Sequence, residues 1–437
     1  MQTLLQLKQG TLKGAAYLKL SEGLDYFPEE IFELTETLET LDLSFNKLTA
    51  LPVDFGRLKK LKVFFCSENL FSTLPEVLAD CPLLDIVGFK SNRIETVPGQ
   101  SINPNLRWLI LTNNKIADLP PAIGQCARMQ KLMLAGNQLK ELPQELKNCQ
   151  NLSLLRISAN RLTALPDWLL TMPKLSWLAF SGNLFNKKPD VLPVAFIDWG
   201  KLEINQLLGE GASGMIYKAN LLSGAENKEA AVKVFKGAVT SDGYPDDEMS
   251  AYIAAGAHPG LANLMGQILA HPEGKTGLVM ELIPPHFFNL GMPPSLDSCT
   301  RDVFKENFSL SLQQVLKIAA TIASLAAQLH DKGIMHGDLY AHNTLIDEDG
   351  NTLFSDFGAA SFYDKADFKT AHAFERMEVS AYGYLLDDLL FLCNEKGNEN
   401  ALNKITELKN ECLVPDISSR PGFKYLAAGF AALLAAN

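Results

Sequence analysis

The chain has no hydrophobic run long enough to cross a membrane, no excess of positive charge, and no cysteine spacing typical of a metal site. A membrane-spanning helix needs about 18 or more consecutive apolar residues. The nearest approach, residues 318–329, is short and broken by Thr321, Ser324 and Gln328. Lys and Arg number 39 against 50 Asp and Glu, a net charge of −11. That balance argues against nucleic acid or an anionic membrane as the main partner, because basic patches hold both. Seven cysteines, an odd number without CxxC or Cys/His spacing, fit a reduced intracellular protein better than a disulfide scaffold. The first 25 residues show no basic-then-apolar secretory signal, so a cytoplasmic protein is expected. A content of 47% hydrophobic and 20% charged residues excludes a mostly disordered chain. The length of 437 residues suggests two or three domains at about 150 residues each.

The charge is unevenly placed. Residues 1–195 hold 21 Lys and Arg against 19 Asp and Glu, a net of +2, whereas residues 196–437 hold 18 against 31, a net of −13. Runs such as Asp347-Glu348-Asp349 and Asp387-Asp388 are expected to be solvated faces.

A repeat fills the first half. Leu38, Leu41, Leu43, Asn46, Leu48 and Leu51-Pro52 set the frame L-x-x-L-x-L-x-x-N-x-L. The asparagines return at Asn69, Asn92, Asn114, Asn137, Asn160 and Asn183, at steps of 23, 23, 22, 23, 23 and 23 residues. Residues 15–28 look like a degraded first copy, with Gly23 near the asparagine slot. Leu-x-Leu places two apolar side chains on one face of a short strand. The asparagine then turns inward, where its amide can satisfy backbone groups in a buried turn. One repeat cannot offset its own ordering entropy, so the stacked array is the stable unit. This half resembles the leucine-rich repeat family, in the bacterial and plant type with Leu-Pro after the turn. The resemblance implies an α/β solenoid of about seven full repeats with a degenerate cap, over residues 1–195.

Two side-chain columns follow from the period. Cys81, Cys126 and Cys149 each stand eleven residues before a ladder asparagine, where Leu58 and Met172 stand in other repeats. The slot is an apolar core position, which makes these thiols packing residues rather than redox or metal groups. The outward column Phe65, Trp108, Ile110, Met133, Leu154 and Trp177 is apolar and aromatic. On the concave face such a stripe suggests a surface for a protein substrate or regulator. The alternative is that these side chains lie flat against their strand neighbours or cover the solenoid ends.

After Asn186 the period stops. The linker is short and holds Val191, Leu192, Val194, Phe196 and Trp199, which predicts a packed junction. Then comes Leu208-Gly209-Glu210-Gly211-Ala212-Ser213-Gly214-Met215-Ile216-Tyr217. A Rossmann fingerprint would lead into a helix, but residues 215–220 and 230–235 read as strands joined by a turn. Two strands covering a glycine turn form a lid whose backbone N–H groups can approach phosphates without a Cβ in the way.

From here the order of motifs resembles the protein kinase family. Ala230-Ala231-Val232-Lys233 matches the strand whose lysine binds the α- and β-phosphates. Glu248, on a helix expected over 246–256, matches the glutamate that orients this lysine. His258-Pro259 follows. Leu278-Val279-Met280-Glu281 resembles the strand entering the adenine hinge. His336-Gly337-Asp338-Leu339-Tyr340-Ala341-His342-Asn343 matches the catalytic loop, and Asp356-Phe357-Gly358 follows after a hairpin. Cys412 to Pro421, with Asp416 and Arg420, resembles the closing motif. The resemblance covers residues 203–430 and implies an α+β bilobal protein-kinase-like domain over 196–437. It further implies Asp338, Lys233, Glu248, Asn343 and Asp356 as catalytic residues, with ATP and Mg²⁺ as cofactors. ATP would lie against Leu208, Gly209, Gly211, Gly214, Ile216, Ala231, Lys233, Met280, Glu281 and Ile283. Asn343 and Asp356 would hold the metal through hard oxygen atoms.

Several positions depart from the family pattern. Gly337 replaces the arginine that pairs with a phosphorylated activation loop, which implies that such phosphorylation is not needed. Tyr340 stands where serine/threonine kinases carry lysine. His342 either supplies positive charge or is a neutral loop residue. The segment after Asp356 is short and lacks Ala-Pro-Glu, with a helix expected over 375–392, and Arg420 is left to pair with Glu375 or Glu378. The insert 284–302 is a substrate platform, a nucleotide lid or a decoration. The favoured function is an ATP-dependent protein kinase, Ser/Thr rather than Tyr, whose repeats bind a partner. The alternatives are a small-molecule phosphotransferase of the aminoglycoside-kinase type and an inactive scaffold.

Overall fold

The computed structural model describes residues 2–186, 194–211, 213–223, 226–237, 239–395 and 398–436. Val191, Leu192 and Ala212 lie outside the described residues. The chain divides into two compact units, Met1–Leu175 with Asn183–Phe185, and Ser176–Gly182 with Asn186–Asn437.

The first unit opens on a short capped helix, α1 (Leu4–Lys8). It is then built on three-residue strands: β1 (Tyr17–Lys19), β2 (Thr40–Asp42), β3 (Val63–Phe65), β4 (Ile86–Gly88), β5 (Trp108–Ile110), β6 (Lys131–Met133) and β7 (Leu154–Arg156). They pair side by side, all parallel and in chain order. Single 3-10 turns return the chain between strands, so each repeat adds one layer to the same core. The expected solenoid is what forms.

The asparagine ladder behaves as the turn chemistry demands. Asn137 is 7% exposed. Its Nδ2 donates to Leu111 O and Leu134 O at 2.9 Å each, and its Oδ1 accepts the Ile116 N–H at 3.0 Å. Asn46, Asn69, Asn92, Asn114, Asn160 and Asn183 also bond to backbone groups of the preceding repeat. The three slot cysteines are buried, and burial raises the Cys81 and Cys126 thiols to about 12 and the Cys149 thiol to about 11. They are packing groups, as their column implied.

The second unit begins with the strand of the last repeat, β8 (Trp177–Ala179). Its mixed sheet contains β9 (Phe196–Asp198), β10 (Leu202–Glu210), β11 (Gly214–Ser223), β12 (Glu226–Phe235), β13 (Leu264–Leu269) and β14 (Gly277–Glu281). The order is β10-β11-β12-β14-β13-β9, around a core of Ile197, Leu202, Ala219, Ala230, Val232, Val234, Ile268 and Val279. Helix α2 (Pro245–Ala255) follows β12. Beyond β14 come β15 (Phe288–Asn289), α3 (Leu312–Asp331), β16 (Ile334–Met335), β17 (Thr344–Ile346), β18 (Thr352–Phe354) and β19 (Ser361–Phe362). The chain closes with α4 (Phe368–Leu392), α5 (Glu399–Cys412) and α6 (Phe423–Ala436). This is the expected α+β arrangement. Helix α4 starts earlier than the expected 375, with the Asp367 side chain capping the Thr370 N–H at 3.2 Å.

Two expectations fail by strand alternation and packing. Phe196 is 62% exposed because β9 turns its neighbour Ile197 into the core instead. Trp177 is 1% exposed; it is not part of an outward partner surface. Of the remaining stripe, Leu154 is buried, while Phe65, Trp108, Ile110 and Met133 are half-buried. Phe65 lies across Gly88, where a Cβ would sit 2.6 Å from its ring. Lys131 Nζ lies 4.5 Å above the Trp108 ring, whose Nε1–H points to Met133 Sδ at 3.4 Å.

Candidate active site

The β11–β12–β14 register sets the first of the expected catalytic residues. Lys233 on β12 stands opposite Ile216 on β11 and Leu278 on β14. Its Nζ pairs with Glu248 Oε1 on α2 and lies 5.3 Å from the Phe235 ring centre. The side chains of Lys233 and Glu248 are 13% and 5% exposed. Burial raises the Glu248 pKa, Lys233 opposes that shift, and the nearby Asp356 carboxylate adds to it. The pair is held in a poorly solvated place, where a fixed ion pair orients the lysine.

The expected catalytic loop is cross-braced. Asn343 Nδ2 donates to Asp338 Oδ2 at 2.8 Å and to Asp338 O at 2.9 Å. The Ser355 N–H and hydroxyl both bond to Asn343 O, at 2.9 and 3.0 Å, which ties the loop to the residue before Asp356. Asp356 adopts φ 58° and accepts the Gly358 N–H at 3.1 Å. A Cβ placed at Gly358 would lie 3.1 Å from Asp356 Oδ1 and 3.9 Å from Glu248 Oε2. Phe357 is buried edge-on between Tyr252 of α2 (5.0 Å) and His336 (4.8 Å). The fold therefore brings Lys233 to Glu248, Glu248 near Asp356, and Asn343 to Asp338, from segments far apart in the chain.

The residues expected to lie against ATP are placed by the same sheet or the segments around it. Ala231 pairs across β12–β14 with Met280, next to Glu281, which bonds to Asn263 through its carboxylate (2.8 Å) and its N–H (2.8 Å). Leu208 is exposed at the end of β10, and Ile216 is partly exposed on β11. Ile283 lies two residues past the end of β14 and is partly exposed. In the glycine turn, a Cβ at Gly209 or Gly211 would meet nothing within 4 Å. The protein itself does not demand glycine there, whereas a phosphate approaching the backbone would. At Gly214 the reason is internal, since a Cβ would sit 2.6 Å from Val234 O.

These residues fit ATP and a divalent metal. The Nδ2 of Asn343 is committed to Asp338, so its Oδ1 and the Asp356 carboxylate would be the hard oxygen donors to such a metal. Among the described residues no group of three or more His, Cys, Asp or Glu could hold a metal ion. Two protein ligands with phosphate and water completing the shell suit a nucleotide-bound metal.

Other supports of the loop were not legible as such. Glu378 of α4, fully buried, accepts the Gly337 N–H at 2.6 Å and the His336 N–H at 3.2 Å, and pairs with His330 Nε2 at 2.8 Å. Burial works against its ionised form, yet the His330 bond and these N–H groups hold its pKa below the usual carboxylate value. Arg420 donates to Val414 O (3.0 Å) and Arg376 O (3.1 Å), while Glu378, one expected partner, is engaged at the loop. The insert reaches the loop too: Asp302 Oδ1 lies 2.7 Å from His342 Nδ1. Burial disfavours a charged His342, but Asp302, with Asp338 and Asp356 beyond, keeps its pKa above the ordinary value. Asp387 and Asp388 are not simply a solvated face. Arg301 bonds to both, and Lys409 reaches Asp387 at 3.1 Å.

Residues 202–381 match the family described as protein tyrosine and serine/threonine kinase. Residues 37–58, 104–148 and 127–185 match leucine-rich repeat families. A Dictyostelium discoideum protein named as a probable serine/threonine-protein kinase is 30% identical over 169 residues, 38% of this chain and 10% of that protein. The angiopoietin-1 receptor of Danio rerio is 27% identical over 168 residues, 37% of this chain and 15% of the receptor. A leucine-rich repeat and calponin homology domain-containing protein of Mus musculus is 28% identical over 100 residues, 23% of this chain and 14% of that protein. The chain thus spans 10–15% of the length of these relatives. No helix among the described residues is long and apolar enough to cross a membrane.

Proposed function

Because the chain carries N-terminal leucine-rich repeats and a C-terminal protein kinase domain, we propose that it transfers the γ-phosphate of ATP to a protein hydroxyl. The observation that carries this reading is the joint placement of the Lys233–Glu248 ion pair and the Asp338–Asn343 lock beside Asp356. Phosphoryl transfer needs positioning and charge neutralisation more than covalent help. Lys233 would hold the α- and β-phosphates, with Glu248 keeping its ammonium in place. Asn343 and Asp356 would hold Mg²⁺, which neutralises phosphate charge when bound. Asp338 would orient the acceptor hydroxyl and take its proton.

The acceptor is proposed as Ser/Thr rather than Tyr, in a cytoplasmic protein whose domains divide near residue 195. The Dictyostelium discoideum relative is named for serine/threonine, in keeping with that choice. The partner surface of the repeats is placed on Phe65, Trp108, Ile110 and Met133. The test is transfer from labelled ATP and Mg²⁺ to the protein itself and to lysate proteins, followed by phosphoamino-acid analysis. Wild type should label Ser and Thr, and Asp338→Ala and Asp356→Asn should not label. No transfer to any protein would overturn the reading, and transfer confined to small hydroxyl compounds would replace it with the small-molecule phosphotransferase.

A further inference from the structure

The segment Ser176–Gly182 belongs by its leucine pattern to the last repeat, yet it packs as part of the second unit. Its contacts fall on the loop around Asp338, on β19 and α4, and at one end on α2. Trp177 Nε1–H donates to Leu339 O at 3.0 Å. The indole lies parallel to the Tyr340 ring, with centroids 4.4 Å apart and planes 5° apart, and has Tyr384 of α4 5.5 Å away. Ser176 and Ser380 of α4 share a hydroxyl contact of 2.6 Å. The Phe180 and Ser181 N–H groups both donate to Ser361 Oγ on β19, at 2.9 and 3.1 Å. Phe180 also stacks on Phe374 at 4.8 Å. At the far end, a Cβ at Gly182 would stand 3.0 Å from Asp247 Oδ2, one residue before Glu248.

Gly337 makes the relationship explicit. It has φ +75°, and a Cβ there would lie 2.6 Å from Leu178 O and 2.8 Å from Ala359 O. The position before Asp338 is therefore closed by two backbones, one from β8 and one from the segment after Asp356-Phe357-Gly358. Glycine answers both the dihedral angle and the space. On the other side of Asp338, Leu339 is the residue that Trp177 bonds. Asp338 is thus flanked by β8 contacts on both sides. The chain between Gly358 and the start of α4 at Phe368 is short, which leaves little local structure of its own to brace the loop.

We propose that Ser176–Gly182 is a built-in positioning strand for the catalytic loop, with Trp177 as its principal positioning residue. On this view the loop is braced by a strand of repeat-type sequence within its own unit, without any added phosphate. The idea rests on the kinase reading only for its activity readout.

The experiment uses the full chain with Trp177→Phe and Trp177→Ala. Phenylalanine keeps a ring against Tyr340 and loses the N–H donor; alanine loses both. Trp177→Ala should lower kcat by about 10- to 100-fold, the scale of a displaced reacting group. Trp177→Phe should lower it by about two- to tenfold, the scale of one lost hydrogen bond. KM and Kd for ATP should stay within about twofold in both, because the contacts of Trp177 fall on the loop and α4 rather than on β12 or α2. Amide exchange in Trp177→Ala should speed up at residues 336–343 and 359–363 and stay unchanged over β2–β6. An unchanged kcat with unchanged exchange at 336–343, or ATP affinity falling in step with kcat, would overturn the proposal. If wild type transfers phosphate to no protein while exchange at 336–343 still rises in the variant, the kinase reading fails and the positioning role stands. If Trp177→Ala does not fold, the same measurements on Trp177→Phe decide.

Discussion

The Asp302 carboxylate grips His342 twice, accepting its backbone N–H at 2.9 Å and lying 2.7 Å from its Nδ1. His342 precedes Asn343, so the last residue of the insert 284–302 helps fix the catalytic loop. Its neighbour Arg301 binds Asp387 and Asp388 and stacks 5.0 Å from the Tyr384 ring. The insert is anchored at its end, and that contact can be tested directly.

Asp302→Ala should lower kcat by several-fold to tenfold and stability by about 1–3 kcal/mol, the cost of leaving buried donors unpaired. Asp302→Asn, which keeps one acceptor for the N–H, should fall between. Steady-state kinetics and urea unfolding check both numbers.

Asp388 provides a pH signature. Burial raises its pKa from the ordinary carboxylate value to about 6, with Arg301 opposing. Between those two values the folded protein holds a proton that the unfolded chain has released, so this group lowers stability as pH rises from about 4 to about 6. Above that window its contribution is flat. Urea midpoints of Asp388→Asn should lack this component, so the difference between variant and wild type should change across pH 4–6 and then level off.

In the solenoid, Asn137→Ala should destabilise by about 2–4 kcal/mol, because Ile116 N–H, Leu111 O and Leu134 O lose a shared partner inside the core. Because repeats hold one another only through neighbours, exchange protection should drop most in β5, β6 and β7. Loss spread evenly over β1–β7 would contradict this.

Thiol labelling of the native protein at neutral pH should modify Cys393 first, since it is half-buried and the other six cysteines are buried. Cys81, Cys126 and Cys149 should react only on unfolding, because burial holds their thiols protonated. Mass spectrometry of labelled peptides reads the order.

How much of this was legible varies by residue. Lys233, Glu248, Asp338, Asn343 and Asp356 stood out because each sits in a short motif whose neighbours share its job. Glu378 was noticed only as a candidate partner of Arg420; its bonds to the Gly337 and His336 N–H groups, some forty residues away in the chain, were not legible. Trp177 misled for a related reason. Its column in the repeat faces outward by periodicity, and nothing within 23 residues signals that Tyr340 will cover it.

Periodicity and motif order are local properties, and they were sufficient to reveal a stacked repeat, its asparagine ladder, its thiol-packing slot and a protein kinase domain. The partners of Trp177, the reason for glycine at 337, the anchoring of Asp302 and the failure of Phe196 to pack depended on the assembled protein. Each turns on surfaces that meet only after distant segments fold together. Burial and hydrogen-bond completion are properties of that assembly, and no short window of residues contains them.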